Sequence, residues 1–269
     1  MDMESSRSHV LAGGQRRSGL ALVALACLAA LPGLQSCASY IASREAAYAA
    51  EAKAEAEARQ RSAEPNGPVG PSQIETSRVR QSIVASARKL LGQAANTQVE
   101  VRGRHFMLDC IGTVSAAWWG AGFDLQRDFA RHAGNGVQRL YESCRDWGSL
   151  SSLKDSRPGD LIFWENTWDR NADGKAGNDG ITHAGIVMQV DPDGTVEYLH
   201  SSETRGVVLA RFNLRHPDSE FGPDGKLWNS PMYLGAAHGR AGNPPHWLSG
   251  DLWAAFGEAI ATARRLGKS

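Results

Sequence analysis

The sequence predicts an α+β fold. Apolar residues recur at helical spacing after residue 74. Buried-strand runs bounded by turn residues follow from residue 158, and eight tryptophans with 29 glycines suit a compact, loop-rich domain. Lysine and arginine together number 29, and aspartate and glutamate together also number 29, so the formal net charge is zero. This balance gives no electrostatic reason to expect a nucleic-acid partner.

Residues 1–36 are predicted to be a lipoprotein signal peptide. Two arginines, Arg16 and Arg17, precede the apolar run GLALVALACLAALPGL, which has about the length of a signal-peptide core and is short for a membrane span. The run closes with LQSC, which resembles a bacterial lipobox and implies cleavage before Cys37 and lipidation of that residue. A signal anchor, or a secretory peptide with a chance cysteine, is the alternative.

The lipid anchor makes a membrane the expected partner of the chain. Each buried methylene of an acyl chain contributes about 0.8 kcal/mol to membrane attachment. The expected location is therefore the cell envelope, with the protein facing the periplasm or the exterior.

Residues 37–73 are predicted to be a tether between the membrane and a globular domain. Their first part is rich in Ala, Glu, Lys and Arg, which favours a solvated helix. The following PNGPVGPS breaks a helix. A coiled coil is the alternative, but no heptad of large apolar residues supports it.

The globular domain is predicted to begin with a scaffold helix that ends at Gly92. Its apolar face carries residues at helical spacing, namely Val79, Ile83, Ala87, Leu90 and Leu91. At the other end of the chain, DLWAAFGEAIATARRLG predicts a closing amphipathic helix. Its apolar face carries Leu252, Phe256, Ile260 and Ala263.

Cys110 is predicted to lie in the first turn of a second helix. Asp109 suits the N-cap position, where its side chain accepts hydrogen bonds from first-turn amides. The unpaired N–H groups and the dipole at a helix start favour an anion, so the thiol should be more acidic than the free value of about 8.5. Burial would have the opposite effect. The apolar stripe that includes Cys110 continues through Val114, Ala117, Trp118 and Ala121.

Two cysteines stay in the processed chain. Cys27 leaves with the signal peptide and Cys37 carries lipid, so Cys110 and Cys144 remain. In an oxidising compartment they could form a disulfide, although nothing in their spacing requires one. The alternative gives Cys144 a structural role and leaves both thiols free.

Three strands are predicted in the second half of the domain. The run LIFW at 161–164 follows a turn and forms a buried strand. ITHAGIVMQV at 181–190 and TVEYLHSS at 195–202 form a hairpin around the turn DPDG.

The hairpin register is predicted to place His183 and His200 on one face. If the residues at either side of the turn pair, His183 opposes Ser202. The same register places His200 opposite Gly185, which leaves room for the imidazole ring. The two histidines are then diagonal neighbours, roughly 7–8 Å apart at the backbone. A one-residue bulge would undo this arrangement.

A cysteine, a histidine that can accept its proton and a second histidine that can orient the first form the arrangement of an activated thiol. His183 would take the proton from Cys110, and His200 would orient the imidazole and stabilise its charged form. A structural role for each histidine is the alternative. A metal site built from the three residues is a further alternative, although no H-x-x-H or C-x-x-C spacing supports it.

Four motifs occur in a fixed order along the chain. They are DCIG at 109–112, PGDLIF at 158–163, HAGIV at 183–187 and YLHSS at 198–202. Together they resemble the NlpC/P60 family, papain-like cysteine peptidases of bacterial cell walls that are related to CHAP domains. The resemblance extends from about Ser77 to about Gly235.

The resemblance implies roles for three residues. Cys110 would be the nucleophile, His183 the base and His200 the orienting residue, with no cofactor required. The implied catalytic domain covers residues 74–269 and packs N-terminal helices on a central antiparallel β-sheet whose last strand is Asn229–Leu234.

The implied reaction is hydrolysis of an amide in peptidoglycan stem peptides, often next to D-glutamate. An N-acetylmuramoyl-amidase or a transferase that uses the same thiol is an alternative. An inactive protein that binds or scaffolds the cell wall is another. Two departures keep the last alternative open, because Ile111 replaces a usual serine and no tyrosine stands in AANTQVEVRGRHF near the oxyanion site. The oxyanion would depend on backbone N–H groups, and loss of one donor typically lowers the rate about 10²–10³-fold.

A loop before the His183 strand follows the first half of a calcium-binding pattern, D-x-N-x-D-G. Gly180 stands where the pattern expects a bidentate glutamate. The loop therefore has two interpretations. One is a site for a structural calcium ion, and the other is a turn rich in Asp, Asn and Gly. The candidate ligands are Asp169, Asn171, Asp173, Lys175 and Asp179.

Overall fold

A computed structural model describes residues 71–152, 154–233 and 246–267 of the chain. The predicted signal peptide, the lipidation site Cys37 and most of the predicted tether lie outside these residues. No helix in the described ranges is long and apolar enough to cross a membrane.

The helices of the described chain form the first layer of the fold. The α-helices are α1 Pro71–Arg88, α2 Cys110–Gly120, α3 Gly136–Asp146 and α4 Ala259–Leu266, and a 3-10 helix covers Phe129–Arg131. The described part of α1 begins within the predicted tether, at a proline, which needs no intrahelical N–H partner at the first position of a helix. α1 ends four residues before the predicted stop at Gly92, which has a φ of +79° in the turn after the helix.

The described strands form a two-stranded hairpin and a six-stranded antiparallel sheet. The hairpin consists of β1 Gln98–Val101 and β2 Arg104–Met107. The sheet consists of β3 Leu150–Ser151, β4 Leu161–Glu165, β5 Ile181–Val190, β6 Val196–Ser202, β7 Gly206–Phe212 and β8 Trp253–Gly257. Across the sheet the strands follow the order β3-β8-β4-β5-β6-β7. The α+β prediction is therefore confirmed at the level of helices and an antiparallel sheet.

Alternate residues of each strand divide the core between the two faces of the sheet. Leu161 and Phe163 of β4 belong to the cluster that contains the buried residues of the helices. Ile162 and Trp164 belong to a second cluster on the opposite face, which includes Met232 from the long loop after β7. Both faces are thus covered, and the ends of β5 and β6 carry the polar residues of the site.

The predicted closing helix is wrong in its first half. Residues 253–257 form β8, which lies between β3 and β4 and pairs Phe256 with Ile162. A short apolar run does not separate helix from strand by periodicity alone. The partner strand decides, and Gly257 allows a close approach because an added Cβ would lie 3.1 Å from the Cβ of Leu161. Only residues 259–266 are helical.

The predicted last strand at Asn229–Leu234 is also wrong for its described part. Pro231 makes one isolated bridge to Leu248 instead of joining the sheet, and Leu234 lies outside the described residues. β8 takes the place of the last strand.

Asp160 fastens the helical layer to the sheet. One carboxylate oxygen accepts from Arg80 Nη1 of α1 at 2.7 Å and from the N–H of Ala259 in α4 at 2.8 Å. The other accepts from the N–H of Arg157 at 2.8 Å. The PGD motif therefore has a structural role at the start of β4.

Candidate active site

Cys110 is the first residue of α2, as predicted. The Asp109 side chain accepts from the N–H of Gly112 at 2.7 Å, which confirms its role as N-cap. The backbone N–H groups of Cys110 and Ile111 lie where they stabilise negative charge on the sulfur and so act to lower the pKa of the thiol. The helix start therefore presents two donors beside the cysteine.

Two contacts fix this helix start, one to the end of the β1–β2 hairpin and one to the sheet. A Cβ atom added to Gly112 would lie 1.7 Å from the carbonyl oxygen of Met107, so only glycine lets the chain fold back under α2. The buried hydroxyl of Ser201 donates to the carbonyl of Leu108 at 2.8 Å. Because Ser201 follows His200 in β6, this bond ties the cysteine segment to the histidine strand.

His183 and His200 are in direct contact, with 2.9 Å between His183 Nε2 and His200 Nδ1. The strands pair Ile186 with Leu199 and Val187 with Tyr198, which is the register predicted for the histidines. At the turn the pairing is offset by one residue, and a bulge between 187 and 189 removes the offset. The prediction that both histidines share one face of the hairpin is therefore confirmed.

The atoms nearest to Gly185 are not those of the predicted neighbour His200. A Cβ atom added there would lie 2.8 Å from the carbonyl oxygen of Leu199 and 3.0 Å from the ring of Trp164. The glycine thus makes room first for the neighbouring backbone and for Trp164, which lie nearer than the His200 ring. Trp164 is held by a bond from its indole N–H to the carbonyl of Ser249 at 2.8 Å, and its ring lies 5.7 Å from that of His183.

Burial keeps the three candidate catalytic groups uncharged. It raises the pKa of Cys110 to about 12, and the charge of Asp109 adds to this effect. Burial lowers the pKa of His183 to about 4. It also brings the pKa of His200 well below its usual value, with further lowering from the charges of His183 and Arg205. The prediction of a more acidic thiol is wrong for this arrangement, because desolvation exceeds the effect of the helix start.

The histidine pair has two tautomeric arrangements, since a single proton lies between the facing nitrogens. When His183 Nε2 carries the proton, it donates to His200 Nδ1 and leaves His183 Nδ1 as an acceptor. The second arrangement reverses these roles and removes the acceptor. His200 Nε2 is buried without a partner among the described residues. The first arrangement makes His183 a competent base.

The two histidines and Cys110 line one cavity of about 620 Å³. No hydrogen bond joins the thiol to His183 among the described residues, and such contacts often tighten only when substrate binds. The sequence did not reveal three further lining residues, Trp168, Arg205 and Tyr233. These residues lie on three separate loops. The one signal for them in the sequence is that each is an aromatic or charged residue close to a motif.

The predicted calcium loop is organised by its own hydrogen bonds. Both Asp169 oxygens accept backbone N–H groups, from Asp173 at 3.2 Å and from Gly174 at 2.8 Å. Asp173 accepts from the N–H of Lys175 at 2.9 Å. Buried Asp179 accepts from two other N–H groups of the loop at 2.7 and 3.0 Å. Within the described ranges no three His, Cys, Asp or Glu side chains are grouped to hold a metal ion, and calcium stays a prediction.

Both cysteines of the described chain are free thiols. Cys144 is fully buried in α3, which agrees with a structural role, and the disulfide alternative is wrong.

Comparison of the chain with protein-family models, curated proteins and solved structures finds no match. Membership of the NlpC/P60 family therefore stays a prediction from the four motifs.

Proposed function

We propose that the chain is a papain-like cysteine hydrolase of the NlpC/P60 type that cleaves amide bonds in peptidoglycan stem peptides. The observation that carries the proposal is the 2.9 Å contact between His183 Nε2 and His200 Nδ1 in the cavity that Cys110 also lines. This contact occupies one nitrogen of His183 and leaves the other for the thiol. A structural histidine pair alone would not account for a cysteine at a helix start in the same cavity.

The reaction begins from neutral groups. His183 Nδ1 accepts the thiol proton as Cys110 Sγ attacks the amide carbon, so proton transfer accompanies bond formation. His200 Nδ1 accepts the N–H of His183 and stabilises the imidazolium that forms. The N–H groups of Cys110 and Ile111 are the donors for the developing oxyanion.

The second half of the reaction restores the enzyme. His183 gives the proton to the leaving amine as the C–N bond breaks and a thioester forms on Cys110. Water then attacks the thioester with His183 as base, which releases the carboxylic acid and regenerates the thiol.

The substrate class and the location come from the sequence. The four motifs resemble a family that acts on cell-wall peptides, and LQSC resembles a lipobox. A lipid on Cys37 would hold the domain at a membrane of the cell envelope, facing the periplasm or the exterior. The charge balance favours no nucleic-acid partner, and no cofactor takes part in the reaction.

A wall-binding protein without catalysis is the second candidate. It is supported by the raised pKa of Cys110 and by the lack of a tyrosine in the segment before Cys110. An N-acetylmuramoyl-amidase would use the same thiol on a different bond.

Digestion of purified peptidoglycan tests these candidates together. The protein and its Cys110→Ala variant are incubated with peptidoglycan, and soluble fragments are identified by mass spectrometry. We expect shortened stem peptides from the wild type only. Release of intact stem peptides from the glycan would indicate the amidase, and sedimentation of the protein with the wall without new fragments would indicate the binding protein.

A further inference from the structure

Arg205 lies at the rim of the catalytic cavity, in the turn between β6 and β7. Its side chain is exposed, and no hydrogen bond or ion pair joins its guanidinium to another described residue. A guanidinium binds a carboxylate through two parallel hydrogen bonds, which gives both charge and geometric selectivity. The cavity therefore offers an anion site that no described residue fills.

The turn that carries Arg205 is fastened to the segment after α1. Gly206 has a φ of +76°, and an added Cβ atom would lie 2.3 Å from the carbonyl oxygen of Gln93. The N–H of Val207 donates to that carbonyl at 2.8 Å, and Gly92 donates to the carbonyl of Val207 at 2.9 Å. The backbone of Arg205 is thus fixed relative to the cavity, and only its side chain needs to order when substrate binds.

Arg205 is the one permanently positive side chain among the described residues that line the cavity. Asp109, Glu203 and Arg205 are the charged side chains among the described residues that line it, since burial keeps His183 and His200 neutral. Asp109 is already engaged as the N-cap of α2. Arg205 lines the same cavity as His200 and is close enough for its positive charge to help lower the pKa of that histidine.

We infer that Arg205 binds a free carboxylate of the substrate beside the scissile amide. The hydrolase then selects acidic stem peptides and discriminates against the same peptides in amidated form. This inference rests on the proposed function and names the substrate feature that the site recognises. Glu203 is exposed on the same turn and carries the opposite charge, so removing its charge should not weaken the binding of a carboxylate.

Two synthetic substrates test the inference. They are γ-D-glutamyl stem peptides that differ only in an α-carboxylate or an α-carboxamide. For the wild type we expect kcat/KM to be about 10–100-fold higher for the carboxylate, the range for a hydrogen-bonded charge. Arg205→Gln should remove this preference by loss on the carboxylate substrate alone. Arg205→Lys should keep part of the preference, and Glu203→Gln, which removes a negative charge from the same turn, should not lower it.

A binding measurement separates this inference from the proposed function. Cys110→Ala and Cys110→Ala/Arg205→Gln are titrated with both peptides by calorimetry. We expect tighter binding of the carboxylate by the first variant only. Equal losses on both substrates, or a preference that survives Arg205→Gln, would overturn the role of Arg205. Charge-selective binding without hydrolysis by the wild type would overturn the proposed reaction and leave the role of Arg205 standing.

Discussion

The resting state of Cys110 is open to direct measurement through its alkylation rate. With a pKa of about 12, roughly one molecule in 10⁵ carries a thiolate at pH 7, compared with about one in 10² for an unperturbed thiol of pKa 9.0. Alkylation by iodoacetamide should therefore be about 10³-fold slower than for a free thiol. The rate should rise about tenfold with each pH unit from 6 to 10, since each unit raises the thiolate fraction tenfold.

The assay is peptide mapping by mass spectrometry after timed quenching, which separates Cys110 from buried Cys144. Asp109→Asn is the matched variant, because an asparagine keeps an oxygen for the Gly112 N–H and removes the charge that raises the pKa of the thiol. It should react faster than the wild type at each pH. A rate that stays constant from pH 5 to 8 and exceeds that of a free thiol would refute the reasoning, because it would reveal a preformed thiolate–imidazolium pair.

Four further predictions concern catalysis, packing, pH and calcium. His200→Ala should lower kcat/KM at least about 100-fold in steady-state kinetics, and His200→Asn, which keeps an acceptor for His183, should lower it less; equal losses would contradict the positioning role. Gly112→Ala should lower the melting temperature by at least about 6 °C, because the new Cβ would overlap the Met107 carbonyl, and an unchanged melting temperature would contradict the close approach. The free energy of unfolding should decrease as pH falls from 6.5 towards 4, because His183 stays neutral in the folded protein and becomes protonated in the unfolded chain. Urea titrations should show a loss of up to about 3 kcal/mol from this residue. The same titrations should show a weaker pH dependence for His183→Gln. If the loop binds calcium, a millimolar concentration should raise the melting temperature of the wild type and not of Asp169→Asn, and no shift in either protein would contradict the calcium reading.

The features that the sequence predicted well are those that local rules determine. An aspartate before an apolar helix is a cap because of its short acceptor side chain, and Asp109 behaves in this way. The histidine pair follows from strand alternation and a short turn. The register at His183 matched even though the turn was offset by one residue, because a bulge compensated for it.

The features that the sequence missed depend on partners far along the chain. Residues 253–257 could not be identified as a strand without β4 beside them, since their apolar spacing also fits a helix. The pKa of Cys110 depends on how deeply the folded chain buries the thiol. Arg205 and Tyr233 reach the cavity from different loops, and no local pattern brings such residues together.

Hydrolysis of the free-carboxylate stem peptide is the most direct test of the central claim that Cys110 is a nucleophile served by His183. New amine groups are measured over time for the wild type, Cys110→Ser and His183→Asn, with circular dichroism to verify that each variant is folded. We predict steady amine release by the wild type and a loss of at least about 10³-fold in both folded variants. Release at the wild-type rate by Cys110→Ser would contradict the account.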